Sequence, residues 1–240
     1  VARVLAAGGY NIVVNGFGDS ATIADAQRSI QEHGAETLYS SADMSKPAEI
    51  RQMVADAVAR FGSIDVLVNN AGIQHTAPTE SFPDDRWDAI IAINISAVFH
   101  ASKAVIPQMR QSGWGRIINI ASVHGLVGSA NKVAYVAAKH GVVGLTKVLG
   151  TELAKDNITA NAICPGWVLT PLVQQQIEAR AAAHGTSVED ATKSLLGEKQ
   201  PMHKFTTPEK LGKLALFLCS DDADTTTGAA LSVDGAWSAI

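Results

Sequence analysis

At 240 residues, with 47% hydrophobic and 18% charged residues, the chain suits one α/β domain with a large core and is too apolar for disorder. Its formal net charge of -4 offers no basic face, so no nucleic-acid partner is expected. No run approaches the roughly eighteen consecutive apolar residues of a membrane span, no secretory leader is visible, and Cys164 and Cys219 stand alone in apolar surroundings, which predicts buried thiols in a reducing cytoplasm, no disulfide and no metal cluster.

Helical and strand patterns alternate along the chain. Residues 1–7 have helical spacing and stop at Gly8-Gly9; 11–15 read as a short strand. After the turn Gly16-Phe-Gly-Asp, Ser20 is expected to cap a helix running to about Gly34. Residues 36–42 form a strand with Asp43 at its end, and Ser45 is expected to cap a helix over 47–61, with proline in its first turn. A strand at 66–70, one long helix at 84–113, a strand at 116–122, a helix at 133–155 and a strand at 159–164 follow. Residues 171–199 are a helical excursion, Thr207-Pro208 opens a helix through Cys219, and 231–233 is the last strand. The strand runs are mostly apolar, as in strands covered on both faces of a parallel sheet. This order predicts a single α/β domain over 1–240 with a doubly wound parallel sheet of Rossmann-like type and right-handed crossovers. The insertion at 171–200 follows a strand end and is placed to act as a helical substrate lid.

Tyr135 and Lys139 are four residues apart and so share one face of their helix. An ammonium so placed is expected to lower the pKa of the phenol and ready it for proton exchange near neutral pH. Ser122 ends the apolar run Arg116-Ile-Ile-Asn-Ile-Ala-Ser, and ligands of open α/β sheets bind at the C-terminal ends of strands. Asn69-Asn-Ala-Gly72 and Pro165-Gly166 close two further strands, and the three ends are expected side by side. A Tyr-x-x-x-Lys pair alone is common on solvated helices. The conjunction with three strand ends points to a proton-transfer site for an alcohol or a carbonyl.

These residues resemble the short-chain dehydrogenase/reductase family over essentially the whole chain. The family pattern has an N-N-A-G strand end, an Asn on the next long helix, a Ser thirteen residues before Y-x-x-x-K, and a P-G after a later strand. Here these are Asn69 to Gly72, Asn94, Ser122, Tyr135 with Lys139, and Pro165-Gly166. The resemblance implies that Tyr135 carries the proton, Lys139 tunes it and binds the nicotinamide ribose, Ser122 holds the substrate oxygen, and Asn94 keeps a water that links Lys139 to solvent. The competing reading of Asn94 is a helix-interior amide bonded to backbone. The resemblance also implies a nicotinamide cofactor, with Phe17, Asp43 and Met44 around the adenosine, Asn70, Ala71 and Gly72 beside the ribose, and Pro165, Gly166, Val168 and Thr170 on the nicotinamide side. The strand end Asn15-Gly-Phe-Gly carries neither a carboxylate for the adenosine ribose nor a cation for a 2′-phosphate, so the loop favours NAD over NADP only weakly, and it is the resemblance that mainly implies NAD.

Further strings, among them Ala71-Gly-Ile-Gln-His, Ala121-Ser-Val-His-Gly-Leu-Val and Asp234-Gly-Ala-Trp, resemble members of the family that act on a short hydroxy acid. They imply that Gln74, His124, Lys132 and Gln176 hold the substrate carboxylate, that Trp167 and Trp237 wall the pocket, and that (R)-3-hydroxybutyrate and acetoacetate are interconverted. Taken singly, a loop lysine is usually solvated, a glutamine is usually a surface residue, and the tryptophans could be plain core. The alternatives are a reductase for a sugar acid or an acyl thioester, or a module without catalysis. A homotetramer is implied, with helices 84–113 and 133–155 pairing across a two-fold axis; Val98, Val105, Val143 and Val148 are candidates for that contact, with burial inside the chain's own core as the equal alternative. The family's first strand and its T-G-x-x-x-G-I-G turn, which cradles a pyrophosphate, have no counterpart. Residues 1–10 resemble the helix after that turn. The chain is therefore expected to be an N-terminally incomplete part of a full enzyme, short by about twenty residues; only if it were the whole polypeptide would little NAD binding and poor stability be expected.

Overall fold

The apolar runs form six parallel strands in a computed structural model that describes residues 1–240, the side chain of Leu172 excepted. They are β1 (Ile12–Asn15), β2 (Thr37–Ser40), β3 (Val66–Asn69), β4 (Gly115–Ile120), β5 (Ile158–Pro165) and β6 (Ala230–Val233). β3, β4, β5 and β6 pair in that order, so the ends of β3, β4 and β5 are neighbours. β5 is buried along its whole length, as a strand covered on both faces must be.

Helices cover both faces. On one side lie α1 (Ala2–Ala7) and α9 (Pro208–Leu218), whose Leu5, Leu211, Ala215 and Leu218 pack with Ile118 and Ile163. On the other lie α3 (Pro47–Phe61), α4 (Asp84–Ile91), α5 (Ala97–Ser112) and α6 (Val133–Leu153). There Val105, Met109, Leu149 and Leu153 pack with Ile117 and Ile158. Ile117 and Ile118 thus serve opposite layers, as strand alternation requires. α2 (Ser20–Gln31) joins β1 to β2, and α7 (Pro171–His184) with α8 (Val188–Gly197) forms the excursion after β5.

The doubly wound arrangement is present with its sheet in two parts. β1 pairs only with β2, and β1 and β3 border one cavity of about 980 Å³ that Ile12, Val13, Val14, Leu67 and Val68 help to line. The strands on this cavity are only partly buried, in contrast to β4 and β5.

Several local expectations are corrected. α2 is capped by Asp19, whose carboxylate accepts the Thr22 N–H at 2.7 Å; a charged acceptor suits a helix N-terminus better than the Ser20 hydroxyl. Ser45 does not cap α3, because its hydroxyl donates to Asp43 Oδ1 at 2.7 Å. The helical run from Asp84 to Ser112 contains a π segment, Ala92–Ser96, with Asn94 at its middle. That run is long and apolar enough to cross a membrane by length and composition, yet Val98, Ala101, Val105 and Met109 are buried inside the fold. Val98, Val105 and Val143 therefore belong to the chain's own core and not to a subunit contact. Of the four valines expected there, Val148 is exposed.

A buried polar chain ties β3, β4 and α6. Asn69 Nδ2 donates to Asn119 Oδ1 at 2.8 Å, Asn119 Nδ2 donates to Thr146 Oγ1 at 2.9 Å, and the Thr146 hydroxyl donates to the Val142 carbonyl at 2.7 Å. Removing the middle member leaves Asn69 Nδ2 without its acceptor and costs Thr146 the donor to its oxygen, while Thr146 keeps its own bond to Val142. Asn119→Leu is expected to lower stability by about 1–3 kcal/mol in urea unfolding. Combined with Thr146→Val, the loss should be smaller than the sum of the two. A strictly additive pair would show that the chain is not energetically coupled.

Candidate active site

The site is built where β4 meets α6. Ser122 lies just beyond β4 in extended backbone and opens a short turn, Val123–Gly125. Its Oγ accepts the His124 backbone N–H at 3.1 Å and lies 3.5 Å from His124 Nδ1. The turn rests directly on α6. A Cβ on Gly125 would stand 2.8 Å from the Lys139 carbonyl oxygen and 3.1 Å from a Val143 methyl, so only glycine permits this approach. Lys139 is buried, and its Nζ donates to the Ile120 carbonyl at 2.7 Å, clipping α6 to the end of β4. Tyr135 precedes it by one helical turn, with its ring centroid 5.6 Å from Nζ.

Burial governs the electrostatics. It pushes the Tyr135 phenol above its ordinary value, and the Ser122 hydroxyl offsets this only in part. It also lowers the Lys139 ammonium to about 8. The expected lowering of the phenol by Lys139 is not seen in this arrangement: burial dominates at Tyr135, and the Lys139 ammonium is bonded to the Ile120 carbonyl. His124 is lowered to about 4, first by burial and then by the nearby charge of Lys132, so its imidazole is neutral at physiological pH. The neighbouring Cys164 thiol is pushed up to about 11 by burial and stays protonated.

An aromatic row leads away from the phenol. His124 lies edge-on to Tyr135 at 6.0 Å and to Trp237 at 5.3 Å, and Trp237 stands 6.1 Å from Trp167. Trp237 is held by the turn after β6, where the buried Asp234 carboxylate accepts the N–H groups of Ala236 at 3.1 Å and Ser238 at 2.9 Å. Trp167 packs against Ile177, Ala181, Ala191 and Leu195, the small core of α7 and α8. Two ring nitrogens in this row, His124 Nε2 and Trp167 Nε1, are buried without a hydrogen-bond partner among the described residues. Lys132 is partly buried just before α6. Gln74 and Gln176 are exposed, and the structure does not draw them into this cluster.

Asn94 is bonded at both ends to one residue: its Oδ1 accepts the Ile73 N–H at 2.8 Å and its Nδ2 donates to the Ile73 carbonyl at 2.9 Å. This is the backbone-bonded alternative, directed to a loop and not to its own helix. It holds the segment after Gly72 close to Lys139, and a Cβ on Gly72 would stand 3.8 Å from Nζ. The cavity beside β3 also reaches the strand ends, past Met44, Asn70 and Ala71 to Ser122, Tyr135, Pro165, Gly166, Val168 and Thr170. Phe17 is exposed beside β1, and Asp43 accepts the Ser45 N–H at 2.9 Å. Sequence reading missed Asp234 as the holder of the Trp237 turn; an Asx motif before a Gly-Ala pair is the signal that could have found it.

The family model described as enoyl-(acyl carrier protein) reductase matches residues 1–238. The chain is 56% identical over 237 residues to a D-beta-hydroxybutyrate dehydrogenase of Cupriavidus necator, covering 99% of this chain and 92% of that protein. It is 48% identical over 242 residues to a D-beta-hydroxybutyrate dehydrogenase of Rhizobium meliloti, covering 100% and 93%. Among solved structures it resembles NAD+-bound xylitol dehydrogenase, with a TM-score of 0.87 and 31% identity over 98% of this chain and 92% of that one.

The buried imidazole carries a pH signature. The folded protein protonates His124 only near pH 4, whereas the ordinary value is 6.5. As pH falls, the unfolded chain therefore takes up this proton first, and stability declines between about 6.5 and about 4. His124→Gln is expected to flatten that part of the stability curve, measured by urea unfolding at successive pH values. An unchanged slope in this window would count against a buried neutral His124.

Proposed function

The chain belongs to the short-chain dehydrogenase/reductase family, and from that premise we propose that it interconverts (R)-3-hydroxybutyrate and acetoacetate with NAD. The observation that carries this reading is the unpartnered buried ring nitrogen His124 Nε2, on a ring that lies against Ser122 and Tyr135. Buried polar groups are costly unless something pairs with them, and a carboxylate supplies the acceptor that this one lacks.

Lys132 contributes a full positive charge to the carboxylate, and the neutral His124 a directed hydrogen bond. With its Nδ1 turned to the Ser122 hydroxyl, His124 is free to present Nε2 to the ligand. Gln74, on the loop after β3, and Gln176, on α7, lie exposed outside this cluster and are not assigned to the carboxylate. Trp167 and Trp237 limit the length of the acid. Ser122 donates to the substrate oxygen and fixes its distance from Tyr135. During oxidation the Tyr135 phenolate takes the hydroxyl proton, and during reduction the phenol returns it. Lys139 favours the phenolate against the opposing effect of burial, and its bond to Ile120 keeps it in place. Asn94 steadies the 70–73 loop beside it and is the expected holder of a water leading from Lys139 to solvent.

NAD, when bound, supplies the hydride acceptor, which no side chain provides. Residues fit to hold it are Phe17, Asp43 and Met44 at the adenosine end, Asn70, Ala71 and Gly72 along the middle, and Pro165, Gly166, Val168 and Thr170 with Tyr135 and Lys139 at the nicotinamide end. NAD is preferred over NADP because no cation lies between Asn15 and Asp19 to meet a 2′-phosphate. α7 and α8 act as the lid. Two buried free thiols support a cytoplasmic setting. Exposed Phe99 lines a groove between α5 and α6, and Val148 is exposed on α6; both support pairing of these helices in a homotetramer.

The test is NADH formation from (R)-3-hydroxybutyrate, compared with gluconate and with NADH consumption by an acetoacetyl thioester. Turnover of the free short acid in preference to both is expected; preference for the thioester would contradict the reading. Lys132→Met is expected to raise KM for the acid roughly ten- to a hundredfold, with kcat changed far less. An unchanged KM would remove Lys132 from the carboxylate site.

A further inference from the structure

We infer that Gln200 is a positioning residue that sets the spacing of the two tryptophan walls and thereby the length of acid that the pocket accepts. The inference rests on the short-hydroxy-acid reading of the site. Gln200 lies after α8, at the far end of the lid, and is only 2% exposed although it is polar and long. A buried amide of this kind must be bonded, and this one is bonded at both ends. Its Oε1 accepts the Trp167 backbone N–H at 3.2 Å. Its Nε2 donates to the Lys204 carbonyl, closing a turn in which the His203 N–H also bonds the Gln200 carbonyl at 2.9 Å.

The side chain is wedged between the two loops that carry the walls. A Cβ on Gly166, next to Trp167, would stand 2.7 Å from Gln200 Oε1. A Cβ on Gly235, two residues before Trp237, would stand 2.5 Å from Gln200 Cγ. The same turn is bonded to both loops by backbone: the Met202 N–H donates to the Gly235 carbonyl at 3.1 Å, and the Thr206 N–H donates to the Trp167 carbonyl at 3.0 Å. One amide therefore links the end of the lid, the strand end before Trp167 and the turn before Trp237. Methionine preserves its shape and loses both bonds. Glutamate keeps the acceptor for Trp167 and loses the donor for Lys204.

The experiment compares wild type with Gln200→Met in the NAD-supplied enzyme, using 3-hydroxybutyrate and 3-hydroxypentanoate. The ratio of kcat/KM, longer acid over shorter, is expected to rise roughly tenfold, the scale on which one methylene is discriminated. KM for the shorter acid should rise while its kcat stays within about twofold, since Gln200 touches no reacting atom. Near-ultraviolet circular dichroism, with Trp167→Phe to assign the band of the tryptophan pair, should change in Gln200→Met while the melt stays cooperative. An unchanged ratio and an unchanged band overturn the inference. Should Gln200→Met fail to fold, Gln200→Glu is expected to shift the ratio and the band by a smaller amount, and no shift overturns it equally. Absence of 3-hydroxybutyrate turnover in the wild type would instead defeat the proposed substrate, and the tryptophan band would still decide the positioning role.

Discussion

The bond from Lys139 Nζ to the Ile120 carbonyl is the constraint on which the site depends. An ammonium is expensive to bury; burial lowers this one to about 8, and it makes a short bond to the carbonyl at the end of β4. The bond fixes the rotation of α6 against the sheet, so the residue one turn earlier, Tyr135, falls beside Ser122. Asn119 and Thr146 make a second tie between the same strand and helix, two turns further along α6. Two ties on one helix face define a register as well as a contact. Gly125 completes the junction by letting the Ser122 turn lie against the backbone of α6.

From this junction the pocket extends by apolar contact and not by charge. His124 is neutral because it is buried and because Lys132 and Lys199 are near; in the proposed reading Lys132 supplies the full charge that an acid requires. The division suits a small acid: one cation for net charge, neutral donors for direction, aromatic walls for length. The α7–α8 excursion has a small core of its own, Ile177, Ala181, Ala191 and Leu195, and Trp167 packs against it.

Much of this was legible in the sequence for physical reasons. Strands buried on both faces read as continuous apolar runs, and a four-residue spacing on a helix fixes a shared face, so the parallel order and the Tyr135/Lys139 pair could be read directly. Ser122 could be placed because it ends such a run. Caps were less legible, since Asp19 and Ser20 are both acceptable and only the geometry of the turn decides. The π segment at Asn94 has no simple signature, and without it the side chain's partner, Ile73, could not be foreseen. Val98, Val105 and Val143 showed that an apolar helix position does not reveal which neighbour covers it. Gln200 was invisible because its partners, at 166–167, 204 and 235, are brought together only by the fold. The pKa of Tyr135 was misjudged for a related reason: the lysine's position was readable, but the depth of burial was not.

The most direct test of the central claim, that Tyr135 exchanges the proton, is the single-turnover rate of NADH formation from 3-hydroxybutyrate in Tyr135→Phe, with binding of the acid followed separately by tryptophan fluorescence. The account predicts a rate lower by about 10²–10⁴, with affinity for the acid kept within a few-fold. A variant that forms NADH within a few-fold of the wild-type rate would contradict it.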